Sequence, residues 1–349
     1  MPKCTKYTVF RVFAWALMAL ITLLLTLGLP TPAKTWGFWA HQRINRLAVF
    51  TLPPEMIGFY KKHIEYITEH AVDADKRRYA AEDEAPRHFI DIDHYGGTHP
   101  LDTSEGHLLR PFEVMPRRWD EAVAKFSEDT LKAYGIVPWH TELVLYRLQK
   151  AFEERNVQRI LQLSADLGHY IGDGHVPLHT TENYNGQFTN QKGIHGFWES
   201  RIPELYGEEY DYWVGKANYI KHPRDMVWDY IQESHNALDS VLLFERNLNL
   251  QVEPDHKFCY ENRGAAMMQV YCEGYSEAYS NSLDGMVERR MRAAILSVGS
   301  LWYTAWVNAG SPDLDKLGEP LPDDEYRREQ EEMNKKFEAG KIKGRAHQN

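Results

Sequence analysis

Cysteine is scarce in this chain, with three residues in 349, at Cys4, Cys259 and Cys272. Cys4 precedes the apolar run near the N-terminus, so only Cys259 and Cys272 remain beyond it. Two thiols are too few for a cysteine-based metal site. In an oxidising compartment they can pair, and otherwise they stand as free thiols. Basic charge is also short: 40 Lys and Arg face 50 Asp and Glu, for a formal net charge of -10. That balance excludes a grip on duplex nucleic acid through a basic face, which needs clustered Lys and Arg to neutralise phosphates. Small or single-stranded phosphate substrates stay open, because bound cations supply local positive charge. Strand-like alternation of useful length is missing, as is any internal repeat. With 43% hydrophobic and 26% charged residues, the chain is long enough for one large domain with its own core or for two small ones, and size does not decide between them. The expectation is an all-α protein, a single multi-helix domain.

Long hydrophobic runs are limited to one. Lys3, Lys6 and Arg11 precede the stretch AWALMALITLLLTLG, and LPTPAKT follows it with small residues, the pattern of a secretory signal peptide over residues 1–35. The mature protein is then secreted or periplasmic. A retained leader would instead tether it to a membrane, although the run is slightly short for a span. At the other end, residues 311–349 are charged and poor in apolar residues, which predicts a disordered or partly helical tail. Between them, residues 36–310 read as helices. Apolar residues recur at helical intervals from Trp36 to Phe50 and again over EMIGFYKKHIEYITEH. Further helices are expected at about 116–133, 138–155 and 156–174, and beyond these two long amphipathic stretches, the second running from RGAAMMQV to WVNAG. Trp302 and Trp306, four apart in the last of these, read as core packing.

The chemistry concentrates in residues 169–199. In SADLGHYIGDGHVPLHTT, His169 and Asp173 are four apart, so on a helix both side chains leave the same face one turn apart. Pro177 stops that helix and His179 follows on the exit loop. After the polar stretch NYNGQFTNQKG comes a second such pair, His195 and Glu199 in HGFWES. A His and carboxylate pair at helical spacing is common on protein surfaces without a metal. Two pairs bracketing one loop, with no thiolate nearby, form a ligand set suited to zinc in a hydrolytic role.

These motifs, together with WGFWAH and HFIDID, resemble the zinc-dependent phospholipase C and S1/P1 nuclease superfamily, an all-α fold with a trinuclear zinc site. The resemblance spans roughly residues 36–310 in motif order. It implies three Zn2+ ions. One falls to Asp75, His88, His169 and Asp173, a second to His179, His195 and Glu199, and a third to the α-amino group and carbonyl of Trp36 with His41 and Asp173. Asp73 competes with Asp75 for the acidic position ahead of His88; Asp75 is preferred for the small residue directly before it. Asp75 is also the residue that would orient or deprotonate the attacking water. Amino-terminal ligation needs cleavage directly before Trp36, whereas cleavage after Ala33 would block it. Three dications against three carboxylates keep a net positive site, which a phosphodiester oxyanion requires.

The resemblance leaves the substrate as a phospholipid or a nucleotide. Closure by His195 and Glu199, and the short loop between His179 and His195, lean toward a phospholipase C-like phosphodiesterase that uses a zinc-bound hydroxide. Phe89 and Asp91 in HFID offer a nucleobase pocket for an S1/P1-like single-strand nuclease or 3'-nucleotidase; Phe89 as plain packing is the alternative. Asn183 is placed to touch substrate phosphate. Tyr184, Phe188 and Trp198 are candidates for an apolar rim making transient contact with a membrane surface. Other classes fit less well. A di-iron carboxylate bundle would carry paired E-x-x-H motifs on two helices, and the chain has no such pair; an HD-type phosphohydrolase would carry an adjacent His-Asp, and it has none. A membrane-tethered zinc-binding protein without catalysis remains the non-enzymatic reading.

Overall fold

The computed structural model describes residues 37–96, 111–263, 266–322, 324–340 and 342–343. The proposed signal peptide, residues 1–35, and Trp36 lie outside the described residues. Six long helices organise the rest: α1 (Phe38–Ala48), α2 (Val137–Glu153), α3 (Val157–Gly174), α4 (Pro223–Asn249), α5 (Met286–Asn308) and α6 (Asp324–Glu338). Shorter helical turns connect them, so the all-α expectation holds at the level of class. Among the described residues, no helix is long and apolar enough to cross a membrane.

Helix α3 is the axle. Asn156 caps its start, its side chain accepting a hydrogen bond from the Arg159 amide at 3.1 Å. From Leu163 to Gly174 every residue of α3 is buried, so the helix is enclosed on all sides rather than amphipathic. Helices α1, α2 and α5 pack directly on it. The approach of α1 depends on two glycines. A Cβ at Gly168 would lie 1.9 Å from Asn45 Oδ1, and one at Gly172 would lie 2.9 Å from His41 Nδ1. His41 and Asn45 are themselves four apart, so one face of α1 fits a pair of notches spaced one turn apart on α3. Asn45 Nδ2 then donates to Ala165 O at 3.0 Å. That fit carries His41 to the level of Asp173.

Trp302 and Trp306 sit in the core, as their spacing suggested. The Trp302 ring stacks on Tyr60 at 4.9 Å and its Nε1 donates to Ser164 O at 3.0 Å, while Trp306 Nε1 donates to Pro312 O at 2.9 Å. Satisfying the indole N–H removes the main penalty of burying so large a ring.

One expectation needs correction. The head of the second long amphipathic stretch is strand rather than helix: β1 (Phe258–Arg263) and β2 (Ala266–Tyr271) form a two-stranded sheet. Phe258, Tyr260, Val270 and Tyr271 are strand formers, and their propensity prevails over a short helical period. Residues Phe258–Val270 fall in a compact unit separate from the one formed by Trp36–Lys257 and Tyr271–Asn349. Cys259 and Cys272 are both disulfide-bonded. Of the two outcomes expected for the charged tail, its described part takes the partly helical one. Leu314 and Met333 are buried, the Tyr326 hydroxyl bonds that of Tyr66 at 2.6 Å, and Phe337 packs against Phe38 at 5.9 Å and Tyr79 at 5.1 Å. Tyr326, Met333 and Phe337 recur at helical intervals, a sparse apolar stripe hidden by the surrounding charge.

Candidate metal centre

Three groups of ligand-type side chains converge where α1, α3 and the turns around His88 and His179 meet: His41, His169 and Asp173; Asp75, His88 and His169; and His179, His195 and Glu199. Within each group the ligand atoms lie within 4.8 Å of one another. Asp173 Oδ1 is 3.4 Å from His41 Nε2 and 3.6 Å from His179 Nδ1, and its Oδ2 is 2.9 Å from His88 Nδ1 and 3.3 Å from His169 Nε2. One carboxylate thus serves four imidazoles and joins the groups.

The third group is the tightest. His179 Nε2 and His195 Nε2 are 3.0 Å apart, and Glu199 Oε2 lies 3.1 Å from the first and 2.9 Å from the second. Ligand atoms about 2.1 Å from a tetrahedral zinc are about 3.4 Å apart, so this triangle is slightly smaller than a filled one. Glu199 lies in a single π-helical turn, Phe197–Arg201, a distortion often found at functional sites.

The far side of each ring is also fixed. His169 Nδ1 donates to Ala71 O at 2.8 Å, and His179 Nδ1 donates to His88 O at 2.6 Å. A neutral imidazole with its proton on Nδ1 turns the Nε2 lone pair inward. For His88 the roles are reversed: Nδ1 faces Asp173, and Nε2 lies 3.6 Å from Glu84 Oε1. Glu84 is fully buried; Arg87 Nη1 pairs with it at 2.6 Å, Arg77 Nε at 3.6 Å, and the Tyr170 hydroxyl donates to it. Sequence reasoning missed Glu84. The available signal was its four-residue spacing from His88, masked by Pro86 between them.

Charge follows the geometry. Burial would lower the His169 pKa, but Asp173 and Asp75 outweigh it and raise it to about 9. Burial would likewise raise the Asp173 carboxyl, yet His169 and His179 hold it well below the usual carboxylate range. Glu199 is held low in the same way by His195 and His179. His179 is raised as well, Asp173 and Glu199 outweighing its burial, so two of the imidazoles are held toward their protonated forms by the carboxylates beside them.

Neither a scan of protein-family models nor a search of curated proteins finds a match to this chain. The geometry therefore has to speak for the individual residues. Asp75, rather than Asp73, faces the cluster: its Oδ1 is 3.8 Å from His88 Nδ1 and 3.9 Å from His169 Nε2. Asp73 is engaged elsewhere, by His70 Nδ1 at 2.6 Å and Lys76 Nζ at 3.0 Å. Next to Trp36 in the chain, the Gly37 amide donates to Ser200 Oγ at 2.6 Å, and a Cβ at Gly37 would lie 3.2 Å from Glu199 Oε1. Phe89 and Asp91 are not brought to an open surface; each is 5% exposed, and a Cβ on Gly135 would come within 2.6 Å of the Phe89 ring. Asn183 spends both ends of its amide on its own loop, Oδ1 accepting from Phe188 N at 2.8 Å and Nδ2 donating to Thr189 Oγ1 at 3.1 Å. Of the three apolar-rim candidates, Phe188 is 71% exposed, Tyr184 is partly buried, and Trp198, at 3%, belongs to the core.

Proposed function

We propose that the chain is a zinc-dependent hydrolase of phosphoric esters with the fold of the phospholipase C and S1/P1 nuclease superfamily. The observation that carries this reading is the shared Asp173 carboxylate amid four imidazoles, with His169 and His179 locked by backbone carbonyls so that Nε2 faces inward. Such outer hydrogen bonds are the signature of ligating histidines. All donors are imidazole or carboxylate, a set that fits zinc without thiolates. Asp75, His88, His169 and Asp173 would hold one ion, and His179, His195 and Glu199 a second. His41 and Asp173, with the amino group and carbonyl of Trp36 after cleavage of the leader, would hold a third. Bound zinc supplies Lewis-acid polarisation of a phosphoryl oxygen and lowers the pKa of water to about 7.

The chain's own groups divide the remaining work. Asp173, buried and surrounded, is a pure ligand and bridge. Asp75 is the more accessible carboxylate, its side chain 22% exposed, with Arg78 Nη1 3.6 Å from Oδ1. In this reading it would orient the attacking water and hold its proton. Glu84, behind His88, keeps that ring turned inward. The buried state of Phe89 and Asp91 leaves little ring face for a nucleobase, which supports phosphodiester hydrolysis of the phospholipase C type ahead of the nuclease or nucleotidase reading.

The test is a parallel assay of zinc-loaded protein, matured to Trp36, on phosphatidylcholine, single-stranded DNA, a 3'-nucleotide and a generic phosphodiester, with His169→Ala as control. Lipid turnover is expected. Turnover of nucleic acid alone would move the assignment to the nuclease branch, and a zinc-bearing protein that turns over nothing would refute the enzyme.

A further inference from the structure

A helix end leaves its last carbonyls without partners inside the helix. Helix α3 ends at Gly174, one residue past Asp173, and two other helices attend to that end. From α4, the Ser234 hydroxyl donates to Gly174 O at 2.7 Å. From α5, Arg290 Nε donates to His175 O at 3.1 Å. The rest of the guanidinium is spent on α4: Nη2 reaches Tyr230 O at 2.8 Å and Ser234 Oγ at 2.6 Å, and Nη1 reaches Glu233 Oε2 at 3.0 Å. Arg290 is 9% exposed.

A guanidinium this deep is costly unless its donors are matched, and here each of its three nitrogens has an acceptor. The planar fork is what allows one side chain to bind two helices at once; an ammonium cannot reproduce it. Its charge also lies at the negative end of the α3 dipole. Tyr230 tightens the same joint. Its ring stacks on His175 at 4.3 Å, and a Cβ at Gly174 would lie 2.5 Å from Tyr230 Cε2.

The position of this joint gives it a consequence. Asp173 lies just before it, and the Pro177–Thr180 turn that delivers His179 lies just after. Asp173 Oδ1 and His179 Nδ1 are 3.6 Å apart, so a small rotation of the terminal turn of α3 separates two of the proposed ion positions. We propose that Arg290, with Ser234, is a positioning residue for the metal centre: it fixes the C-terminal turn of α3 and thereby the placement of Asp173 relative to His179. This rests on the reading of Asp173 and His179 as metal ligands.

The experiment compares the wild-type protein with Arg290→Met, Arg290→Lys and Ser234→Ala. Zinc affinity is read by competition with a chromophoric chelator, coordination by the visible spectrum after cobalt substitution, and folding by far-ultraviolet dichroism in chelator. Loss of a ligand's own hydrogen-bond partner weakens metal binding by about ten- to a hundred-fold; Arg290 acts one step further out, so Arg290→Met is expected to lose roughly ten-fold, the low end of that range, and alter the cobalt spectrum at unchanged helix content. Arg290→Lys recovers part of it. If Arg290→Met folds and binds zinc with wild-type affinity, the proposal is overturned. If Arg290→Met does not fold, Ser234→Ala decides, several-fold weaker binding supporting the clamp and unchanged binding refuting it. A wild-type protein that takes up no zinc refutes the metal centre itself, and the clamp with it; unchanged variants of a zinc-binding wild type refute the clamp alone.

Discussion

Replacing Glu84 by Gln keeps the shape of the side chain and removes the one charge that Arg87, Arg77 and Tyr170 all address. The new amide NH2 also points a donor at donors. Breaking a buried ion pair by removing one partner costs about 3 to 5 kcal/mol. The Arg87 and Arg77 side chains keep 27% and 23% exposure, and water therefore relieves part of the loss, which places the expectation at about 3 kcal/mol at neutral pH. For a domain of this size that is a fall in Tm of roughly 5 °C. The pH dependence supplies a second handle. Burial alone would raise the Glu84 carboxyl, but Arg77, His88 and Arg87 hold it below the usual range. A depressed carboxyl stabilises the fold above its unfolded pKa and loses that contribution as pH falls through the folded value. The gap between wild type and Glu84→Gln should thus be full from about pH 5 upward, narrow steadily as pH falls below about 4, and close only once pH has passed the depressed folded value. Urea unfolding of chelator-treated protein at several pH values measures it without interference from metal. A gap below about 1 kcal/mol at neutral pH, or one that stays constant into acid, would refute the role assigned to Glu84.

Other outcomes follow from the same geometry. His169, raised from 6.5 to about 9, stabilises the metal-free protein fully below pH 6.5 and loses that contribution as pH rises through 9; the change is about 3 kcal/mol. Thermal unfolding with chelator should show this decline while zinc-loaded protein gains stability over the same range, and a flat metal-free profile counts against the proton-filled cluster. Asp75→Ala should abolish turnover and lower zinc content, whereas Asp73→Ala should cost stability through His70 and Lys76 and leave zinc content intact; elemental analysis separates the two. Met333→Ala should destabilise the fold by about 2 kcal/mol and speed proteolysis within α6, with Glu331→Ala, an exposed neighbour, as the silent control.

The ligand pairs were legible because helical spacing alone puts His169 beside Asp173 and His195 beside Glu199, whatever the rest of the chain does. Helix α3 was legible too, for its apolar period and the Pro177 stop. Glu84 and the carbonyls of Ala71 and His88 were not, since a backbone acceptor leaves no trace in residue identity and Pro86 disguised the spacing. The strands Phe258–Arg263 and Ala266–Tyr271 were hidden because neither shows a clean apolar–polar alternation, so only the strand propensity of residues such as Phe258, Tyr260, Val270 and Tyr271 marked them. Helix α6 was hidden because three apolar residues suffice to seat it when the groove beneath already offers Phe38, Tyr66 and Tyr79. The burial of Phe89 depended on Gly135, far along the chain and silent in any local pattern.

The seating of α6 sets a timetable for folding. The bond between Tyr66 and Tyr326 spans 260 residues, and closing a loop of that length costs about 5 kcal/mol of chain entropy before any contact repays it. Such a closure comes late in folding. A chain made from its N-terminus must therefore carry Phe38 and Tyr79 uncovered until α6 has emerged. During that interval the segment bearing His41, Asp75 and His88 rests on α2, α3 and α5, and the docking of α6 decides when Phe38 and Tyr79 are covered.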